Sequence, residues 1–262
     1  MLHIVHRQRA PTSARFAFGW TFTMPQRPVC RYPATVRRCF LPEHFYKQGV
    51  RVMPKVSDTH PIRTSVRDFI EGLRGLEGGL LTKGGVAQFV ADAHLQVEAL
   101  APYIFWRENS YTRNLIYQDG LFEVMAICWR SGHKTPVHTH NGQLGWMTVV
   151  QGEIPTHHYR YLRCSAPENQ NVVGMDCLAG AGHVELERLD TISCANDGRI
   201  VTVDKLQTIH QIENVDRANG GCFSLHVYSK PFDSCVAFDM EKHLCWRRPL
   251  KFYSSEGVVL AE

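Results

Sequence analysis

Apolar residues recur at helical spacing in two stretches before residue 102. The first stretch begins after Ser65, and a glycine-rich segment ends it; its apolar positions are Val66, Phe69, Ile70, Leu73 and Leu76. The second stretch stops before Pro102; its apolar positions are Val86, Phe89, Val90, Ala93, Val97 and Leu100. Spacings of three and four residues place one apolar stripe along a helix. The pattern therefore predicts two amphipathic helices that form a cap against the rest of the chain.

From about residue 113 the pattern changes to short β-branched and aromatic runs separated by Gly, Asn, Asp and Pro. The clearest runs are 122–129, 145–150, 157–162, 199–203 and 223–228. Many short strands without long helices between them are typical of an antiparallel barrel or sandwich. We therefore expect a mostly β domain with a helical cap at about residues 62–101 and a barrel at about residues 111–253.

The first 52 residues differ from the remainder in composition and charge. They carry nine Lys or Arg residues against one acid, Glu43, or about +8, which leaves about −4 for residues 53–262 because the whole chain is +4. An Arg-rich, acid-poor leader is compatible with an organelle transit peptide, whereas Met53 and its polar continuation favour a start at that position. We predict a disordered or non-native extension over residues 1–52 and one folded domain over residues 53–262.

Charge, hydropathy and cysteine usage exclude several classes of protein. A mildly acidic domain gives no indication of nucleic-acid binding, and no apolar run reaches the roughly 20 residues of a membrane-spanning helix. The nine cysteines include no Cys-x-x-Cys pair, and no signal-peptide core precedes them. This pattern predicts free, mostly buried thiols in a reducing compartment, and hence a cytoplasmic protein.

Histidine spacing indicates a metal site. His138 and His140 lie at positions i and i+2 in a strand-like region, so both imidazoles project from one face. His210, in the strand-like stretch 206–213, is the best candidate for a third ligand. Three neutral imidazoles occupy one face of an octahedron and leave the other face open for substrate. Taken alone, a His-x-His pair is equally compatible with surface or packing roles.

The residues around these histidines resemble the two motifs of the cupin superfamily. The likeness rests on Gly132, His138, His140, Gly152, His210 and Asn214. Position 145, where many cupins carry a metal-binding glutamate, is Gly. Loss of that ligand leaves room at the metal for both a chelating substrate and dioxygen.

Five separated motifs resemble the cysteine dioxygenase family in order and spacing over about residues 60–253. They are residues 111–115, 128–129, 132–133, 136–140, and 224–229 together with 231–233. The resemblance implies a cupin β-barrel in which His138, His140 and His210 hold Fe(2+). It further implies that Arg113 binds the substrate carboxylate, and that Tyr228 lies beside the thiol and oxygen with His226 orienting it. Tyr111, at the start of the first motif, is a candidate substrate contact.

Each implied role has a physical rationale and an ordinary alternative. The planar guanidinium of Arg113 suits a carboxylate because it donates two parallel hydrogen bonds, but arginines more often form plain salt bridges. His226 and Tyr228 share a strand face, which also fits a satisfied polar pair in the core. Tyr111 is equally compatible with packing.

Gly145 has a second implication. Animal members of the family carry at this position a cysteine that is crosslinked to the active-site tyrosine through a thioether, so we expect no such crosslink here. Other histidines are expected at the surface or near the ligands without binding metal: His133, His157, His158, His183 and His243.

The resulting hypothesis is an iron dioxygenase of cysteine catabolism. L-Cysteine would chelate the iron through its amine and thiolate with its carboxylate on Arg113, and both atoms of dioxygen would pass to sulfur to give cysteine sulfinic acid. The expected partners are therefore this small thiol and dioxygen, and the expected state is a monomer. Two alternatives stay open: dioxygenation of another thiol such as 3-mercaptopropionate, and a metal-binding cupin without turnover.

Overall fold

The computed structural model describes residues 51–52, 64–93, 95–164, 184–204, 208–215 and 221–261, which lie in one compact unit, residues 45–262. The predicted N-terminal extension lies outside the described residues except for Arg51 and Val52, which form a two-residue strand. Three helices lie N-terminal to most of the strands: α1 (Val66–Arg74), α2 (Lys83–Ala93) and α3 (Val97–Leu100). Within these ranges no helix has the length and hydropathy to cross a bilayer.

Helix α1 confirms the first predicted helix. It begins at Val66 because the Ser65 side-chain oxygen accepts a hydrogen bond from the Asp68 amide at 3.1 Å, an N-cap of the usual kind. It ends at Arg74, after which the Gly75 amide donates to the Glu71 carbonyl at 3.0 Å.

The second predicted helix is interrupted, so the expectation of one continuous helix was wrong. The chain is extended at Gln96, between α2 and α3. On one continuous helix Leu95 and Leu100 would point about 140° apart. The break allows both leucines to be buried in the same apolar cluster.

The described residues form fourteen strands, and all five predicted runs fall wholly or partly within them. The strands are β1 (Arg51–Val52), β2 (Thr112–Gln118), β3 (Phe122–Trp129), β4 (Val137–His138), β5 (Gly145–Gln151), β6 (Glu153–Cys164), β7 (Val184–Ala195), β8 (Val201–Val203), β9 (Ile209–Ile212), β10 (Cys222–Ser229), β11 (Ser234–Asp239), β12 (Leu244–Pro249), β13 (Ser254–Ser255) and β14 (Val258–Val259).

These strands form two sheets. The eight-stranded sheet has the order β1-β8-β5-β10-β3-β2-β13-β14, and the six-stranded sheet has the order β12-β11-β4-β9-β6-β7. Neighbouring strands run antiparallel, except that β13 runs parallel to β2. The mostly β fold with a small N-terminal helical cap is confirmed. Among the described strands, the outer strands of each sheet do not pair with each other, so the sheets do not close into a barrel.

Alternation along the strands divides the apolar core into layers. Even-numbered residues of β3, such as Val124 and Ala126, face the helices, whereas Met125 and Ile127 face the interior between the sheets. Both faces of β3 are covered, so all of its residues are buried.

A third apolar cluster positions the histidines. Val137, Ile209 and Val236 belong to this cluster on the outer face of the six-stranded sheet. Because side chains alternate along a strand, the adjacent His138 and His210 point to the inner face. The burial of apolar residues therefore determines on which face the candidate ligands lie.

The cysteine prediction is confirmed in part. Five described cysteines are free and buried: Cys128, Cys164, Cys194, Cys222 and Cys235. Cys245, in contrast, is disulfide-bonded, and its partner lies outside the described residues.

Candidate active site

Three imidazoles meet on the inner face of the six-stranded sheet. His138 ends β4 and pairs directly with His210 of β9. His140 lies beyond the end of the strand, before a turn in which Asn141 and Gly142 have positive φ values of 50° and 77°. One ligand nitrogen from each histidine lies within 4.8 Å of the other two. The structure therefore brings together the three histidines that the sequence predicted as ligands.

Burial keeps these imidazoles neutral at physiological pH. Desolvation lowers the pKa of His138 to about 4, and it holds the pKa values of His140 and His210 well below their usual range, with the neighbouring histidines adding to the effect. Metal binding requires the neutral form of imidazole. All three side chains are therefore in the protonation state that a cation needs.

Unsatisfied nitrogen atoms indicate that the site fits a metal ion. Both ring nitrogens of His140 and of His210 are buried without a hydrogen-bond partner among the described groups. Buried polar atoms are normally paired, because leaving one unpaired costs about 1–3 kcal/mol. His138 places Nδ1 3.0 Å from the Pro136 carbonyl, which leaves its Nε2 for a ligand. A cation bound by the three histidines would satisfy one of these nitrogens on each ring.

Tyr228 ends a hydrogen-bonded chain on β10. Its hydroxyl lies 3.2 Å from Nδ1 of His226, and Nε2 of His226 lies 2.8 Å from Oγ of Ser224. The Trp129 indole donates to the same Oγ at 3.0 Å. Burial lowers the pKa of His226 to about 3 and raises the pKa of Tyr228, so both are neutral. The Tyr228 ring stacks on that of His140, with centroids 5.9 Å apart.

Arg113 enters the same cavity from β2 but already has an acidic partner. Its guanidinium contacts the Glu123 carboxylate at 3.2 Å, and Glu123 is only 1% exposed. The guanidinium also lies over the Phe252 ring, 4.9 Å from the centroid. The salt bridge considered as the alternative role for Arg113 is thus present. This salt bridge is buried, however, and Arg113 still lines the cavity while it contacts Glu123.

Tyr111 also lies in this wall. Its ring stacks on Trp129 with centroids 4.9 Å apart, and burial raises the pKa of its hydroxyl. Packing and substrate contact are therefore both compatible with its position.

The candidate residues other than His210 line one small cavity of about 40 Å³. Tyr111, Arg113 and Arg248 also line a wider outer cleft of about 660 Å³, so the cleft leads to the cavity. The remaining residues that line the cavity are Ile127, Trp129, Thr135, Pro136, Ile212, Phe232, Cys235, Arg248 and Leu250.

Sequence reasoning missed Glu123, Arg248 and Cys235. Glu123 lies in an otherwise apolar strand, and a lone acid in such a run is a signal that could have been used. Arg248 and Cys235 lie near the C-terminus without any local pattern that distinguishes them. Only the pairing of β11 with β12 brings them to the cavity.

Two of the remaining histidines are buried outside the three-histidine cluster. His133 accepts a hydrogen bond from the Arg130 amide through Nδ1 at 3.0 Å. His158 lies opposite His210, with ring centroids 6.2 Å apart, and its Nδ1 contacts Asp190 at 2.9 Å. His158 therefore lies beside His210 on the same face of the six-stranded sheet, whereas His157 and His243 lie outside the cavity.

Gly145 lies against the edge of the Tyr228 ring. A Cβ atom at this position would lie 2.7 Å from Cε1 of Tyr228 and 2.5 Å from Cγ2 of Val203. Gly145 and Tyr228 are also paired across β5 and β10. Because glycine has no sulfur, a thioether from position 145 stays excluded by the sequence.

The chain is similar in sequence to cysteine dioxygenases of vertebrates. Human cysteine dioxygenase type 1 is 24% identical over 159 residues, which cover 60% of this chain and 70% of the relative. The cysteine dioxygenase type 1 of Danio rerio is 27% identical over 130 residues, 49% of this chain and 56% of the relative.

Some solved structures are similar over about half of the chain. A double-stranded β-helix protein from Klebsiella pneumoniae has a TM-score of 0.31 at 15% identity and covers 50% of this chain and 85% of its own. A cupin 2 domain-containing protein from Halorhodospira halophila has a TM-score of 0.32 at 14% identity, with coverages of 53% and 77%.

The family model described as cysteine dioxygenase type I matches residues 83–241, more than half of the chain. This match includes the three clustered histidines, Arg113, His226 and Tyr228. The chain belongs to the cysteine dioxygenase type I family.

Proposed function

We propose that this protein is an iron(II)-dependent dioxygenase that converts L-cysteine to cysteine sulfinic acid. The observation that carries the proposal is the cluster of three neutral histidines, two of which, His140 and His210, have unsatisfied buried nitrogens. His138 and His140 line the cavity together with Arg113 and Tyr228. Membership of the cysteine dioxygenase type I family supports oxidation of a thiol by dioxygen.

His138, His140 and His210 would hold the metal through one nitrogen each. Bound there, ferrous iron would supply coordination positions for a substrate thiolate and for dioxygen. In the overall reaction both oxygen atoms are transferred to sulfur, which loses four electrons while dioxygen is reduced. The transfer of oxygen to sulfur requires no strong acid or base from the protein, and the neutral state of His226 and Tyr228 is consistent with that.

Arg113 would bind the substrate carboxylate. Glu123 holds one side of the guanidinium, and the remaining N–H groups are available to the cavity. Anchoring the carboxylate would fix the orientation of a molecule as small as cysteine, so that its sulfur is held near the histidines.

The chain of Ser224, His226 and Tyr228 would deliver a hydrogen bond to the reacting atoms. An indole N–H can only donate, so Ser224 accepts from Trp129 and keeps its own proton available for Nε2 of His226. His226 would then donate from Nδ1 to Tyr228. This arrangement leaves the phenol proton free to point into the cavity.

The size of the cavity favours a small substrate. At about 40 Å³, it is far below the roughly 300–1,000 Å³ of sites that take drug-sized ligands. A free amino-acid thiol suits this space better than a cysteine within a peptide. The cavity does not distinguish cysteine from 3-mercaptopropionate by size.

Oxygen uptake by the iron-loaded protein tests the proposal. L-Cysteine, 3-mercaptopropionate and cysteamine are compared side by side, and the product is identified by mass as the sulfinate with two added oxygens. We expect the highest kcat/KM with L-cysteine. Absence of uptake with every thiol would leave a metal-binding protein without turnover, and preference for 3-mercaptopropionate would overturn the choice of substrate.

A further inference from the structure

Arg248 faces the candidate site from the six-stranded sheet. It pairs with Cys235 across β11 and β12, and Ala237, two residues further along β11, pairs with His138. Residues directly opposite one another share a sheet face, and so do residues two apart on one strand. The side chain of Arg248 is therefore on the same face as the imidazole of His138, and it lines the cavity.

Arg248 also lies where the outer cleft meets the inner cavity. It lines both spaces, as do Arg113 and Tyr111. The two guanidiniums come from different sheets, since Arg113 is in β2 and Arg248 is in β12. A small anion that passes from the cleft into the cavity would therefore meet one arginine on each side.

The two arginines differ in how their charge is balanced. Arg113 contacts the buried carboxylate of Glu123 at 3.2 Å. Arg248 has no carboxylate within ion-pair distance among the described residues, and its guanidinium has no hydrogen-bond partner there. When Glu123 is ionised, the positive charge that remains uncompensated at the cavity is that of Arg248. An arginine left without a partner at the wall of a cavity is suited to a ligand carboxylate.

The positive charges of Arg248 and Arg113 both influence the buried thiol of Cys235. Burial raises the pKa of the Cys235 thiol to about 11, and the charges of Arg248 and Arg113, in that order, oppose the rise. Cys235 is 1% exposed. The two guanidiniums therefore act on a common point inside the cavity.

We propose that Arg248 is a specificity-determining residue that shares the substrate carboxylate with Arg113. This inference rests on the proposed function, which it deepens. It assigns to this protein a preference for thiols that carry a carboxylate, L-cysteine and 3-mercaptopropionate, over cysteamine, which has none. In this clamp Arg248 adds to the binding of the substrate carboxylate, and neither arginine takes part in the oxidation.

Substitution of Arg248 tests this clamp. Arg248→Gln should raise the KM for L-cysteine about tenfold or more, the effect of losing one charge-assisted hydrogen bond. The kcat for L-cysteine should change less than about twofold, because the reacting atoms are untouched. The KM for cysteamine should not change, and Arg248→Lys should recover part of the loss. Lys251→Gln is the matched control, since Lys251 lines only the outer cleft.

Calorimetric titration of L-cysteine into the iron-loaded protein without oxygen separates the two proposals. Weaker binding to Arg248→Gln than to Lys251→Gln supports the clamp even if no thiol is turned over, in which case only the proposed function fails. Equal binding by the two variants overturns the clamp, and so does an equal rise in KM for L-cysteine and cysteamine. If either of these results overturned the clamp, turnover of L-cysteine by the unmodified protein would still support the proposed function.

Discussion

The guanidinium of Arg113 contacts the carboxylate of Glu123 at 3.2 Å in a wall of the candidate active site. The two residues come from neighbouring strands, β2 and β3, and Glu123 is paired with Tyr228 on the far side of β3. A residue that sequence reasoning overlooked thus connects the predicted carboxylate-binding arginine to the predicted active-site tyrosine.

Glu123 should make the stability of the protein depend on pH. Burial raises its pKa from the usual 4.5 to about 7. The folded state then binds more protons than the unfolded state, so the free energy of unfolding falls as pH rises from 4.5 to 7, by about 3 kcal/mol in total. Urea titrations at pH 4.5 and pH 8 should show this fall in the unmodified protein and not in Glu123→Gln. The exposed Glu98→Gln serves as control; a Glu123→Gln curve parallel to it would contradict the prediction.

Breaking the buried pair should separate stability from substrate binding. Arg113→Gln leaves Glu123 without its counter-charge, which should cost about 3–5 kcal/mol. The double variant Arg113→Gln/Glu123→Gln should regain most of this stability but keep a KM for L-cysteine at least about tenfold above that of the unmodified protein. Thermal unfolding measures the stability and oxygen uptake measures the KM, with the iron content determined for each variant. A normal KM in the double variant would show that Arg113 has a structural role alone.

Metal should stabilise the fold through His210. Ferrous iron at 100 times its dissociation constant should raise the free energy of unfolding by about 2.7 kcal/mol under anaerobic conditions. His210→Ala should abolish this rise and lose the bound iron, whereas the exposed His243→Ala should retain both. Stabilisation of His210→Ala equal to that of the unmodified protein would place the metal elsewhere.

The hydroxyl of Tyr228 should be needed for turnover but not for iron binding. Tyr228→Phe keeps the ring and removes the hydroxyl, and we expect kcat to fall on the order of 100-fold with iron content unchanged. Tyr117→Phe is the control, because its hydroxyl bonds Asp119 at 2.6 Å outside the cavity. Sulfinate formation is measured directly. A kcat of Tyr228→Phe within twofold of the control would remove the hydroxyl from the reaction.

Gly145 should tolerate no side chain. A Cβ atom there meets the Tyr228 ring at 2.7 Å, so Gly145→Ala must displace the ring or Val203, at a cost of about 1–3 kcal/mol. We expect lower kcat and a lower unfolding temperature. Gly120→Ala, with nothing within 4 Å, is the control.

An intact mass equal to the sequence mass, apart from the two hydrogens lost at the disulfide, would agree with the absence of a thioether.

Local patterns determined much of this protein. The period of a helix or a strand is set by consecutive residues, so it shows directly in the spacing of apolar residues along the chain. That spacing was sufficient to predict α1 and the central parts of the strands, including β3 and β10. Side-chain alternation placed His226 and Tyr228 on one face, where they are hydrogen-bonded. The order of the histidine, arginine and tyrosine motifs was sufficient to predict the family.

Tertiary structure decided what depends on contacts between distant segments. The pairing of β4 with β9 brings His138 opposite His210, and the turn after β4 brings in His140, although the strand itself ends at His138. No local repeat encodes the contact of Arg113 with Glu123 or the approach of Arg248 to the cavity, because both depend on the register of neighbouring strands. The break before α3 has a related origin: the burial of Leu95 and Leu100 in one apolar cluster overrides the continuation of the local helical pattern.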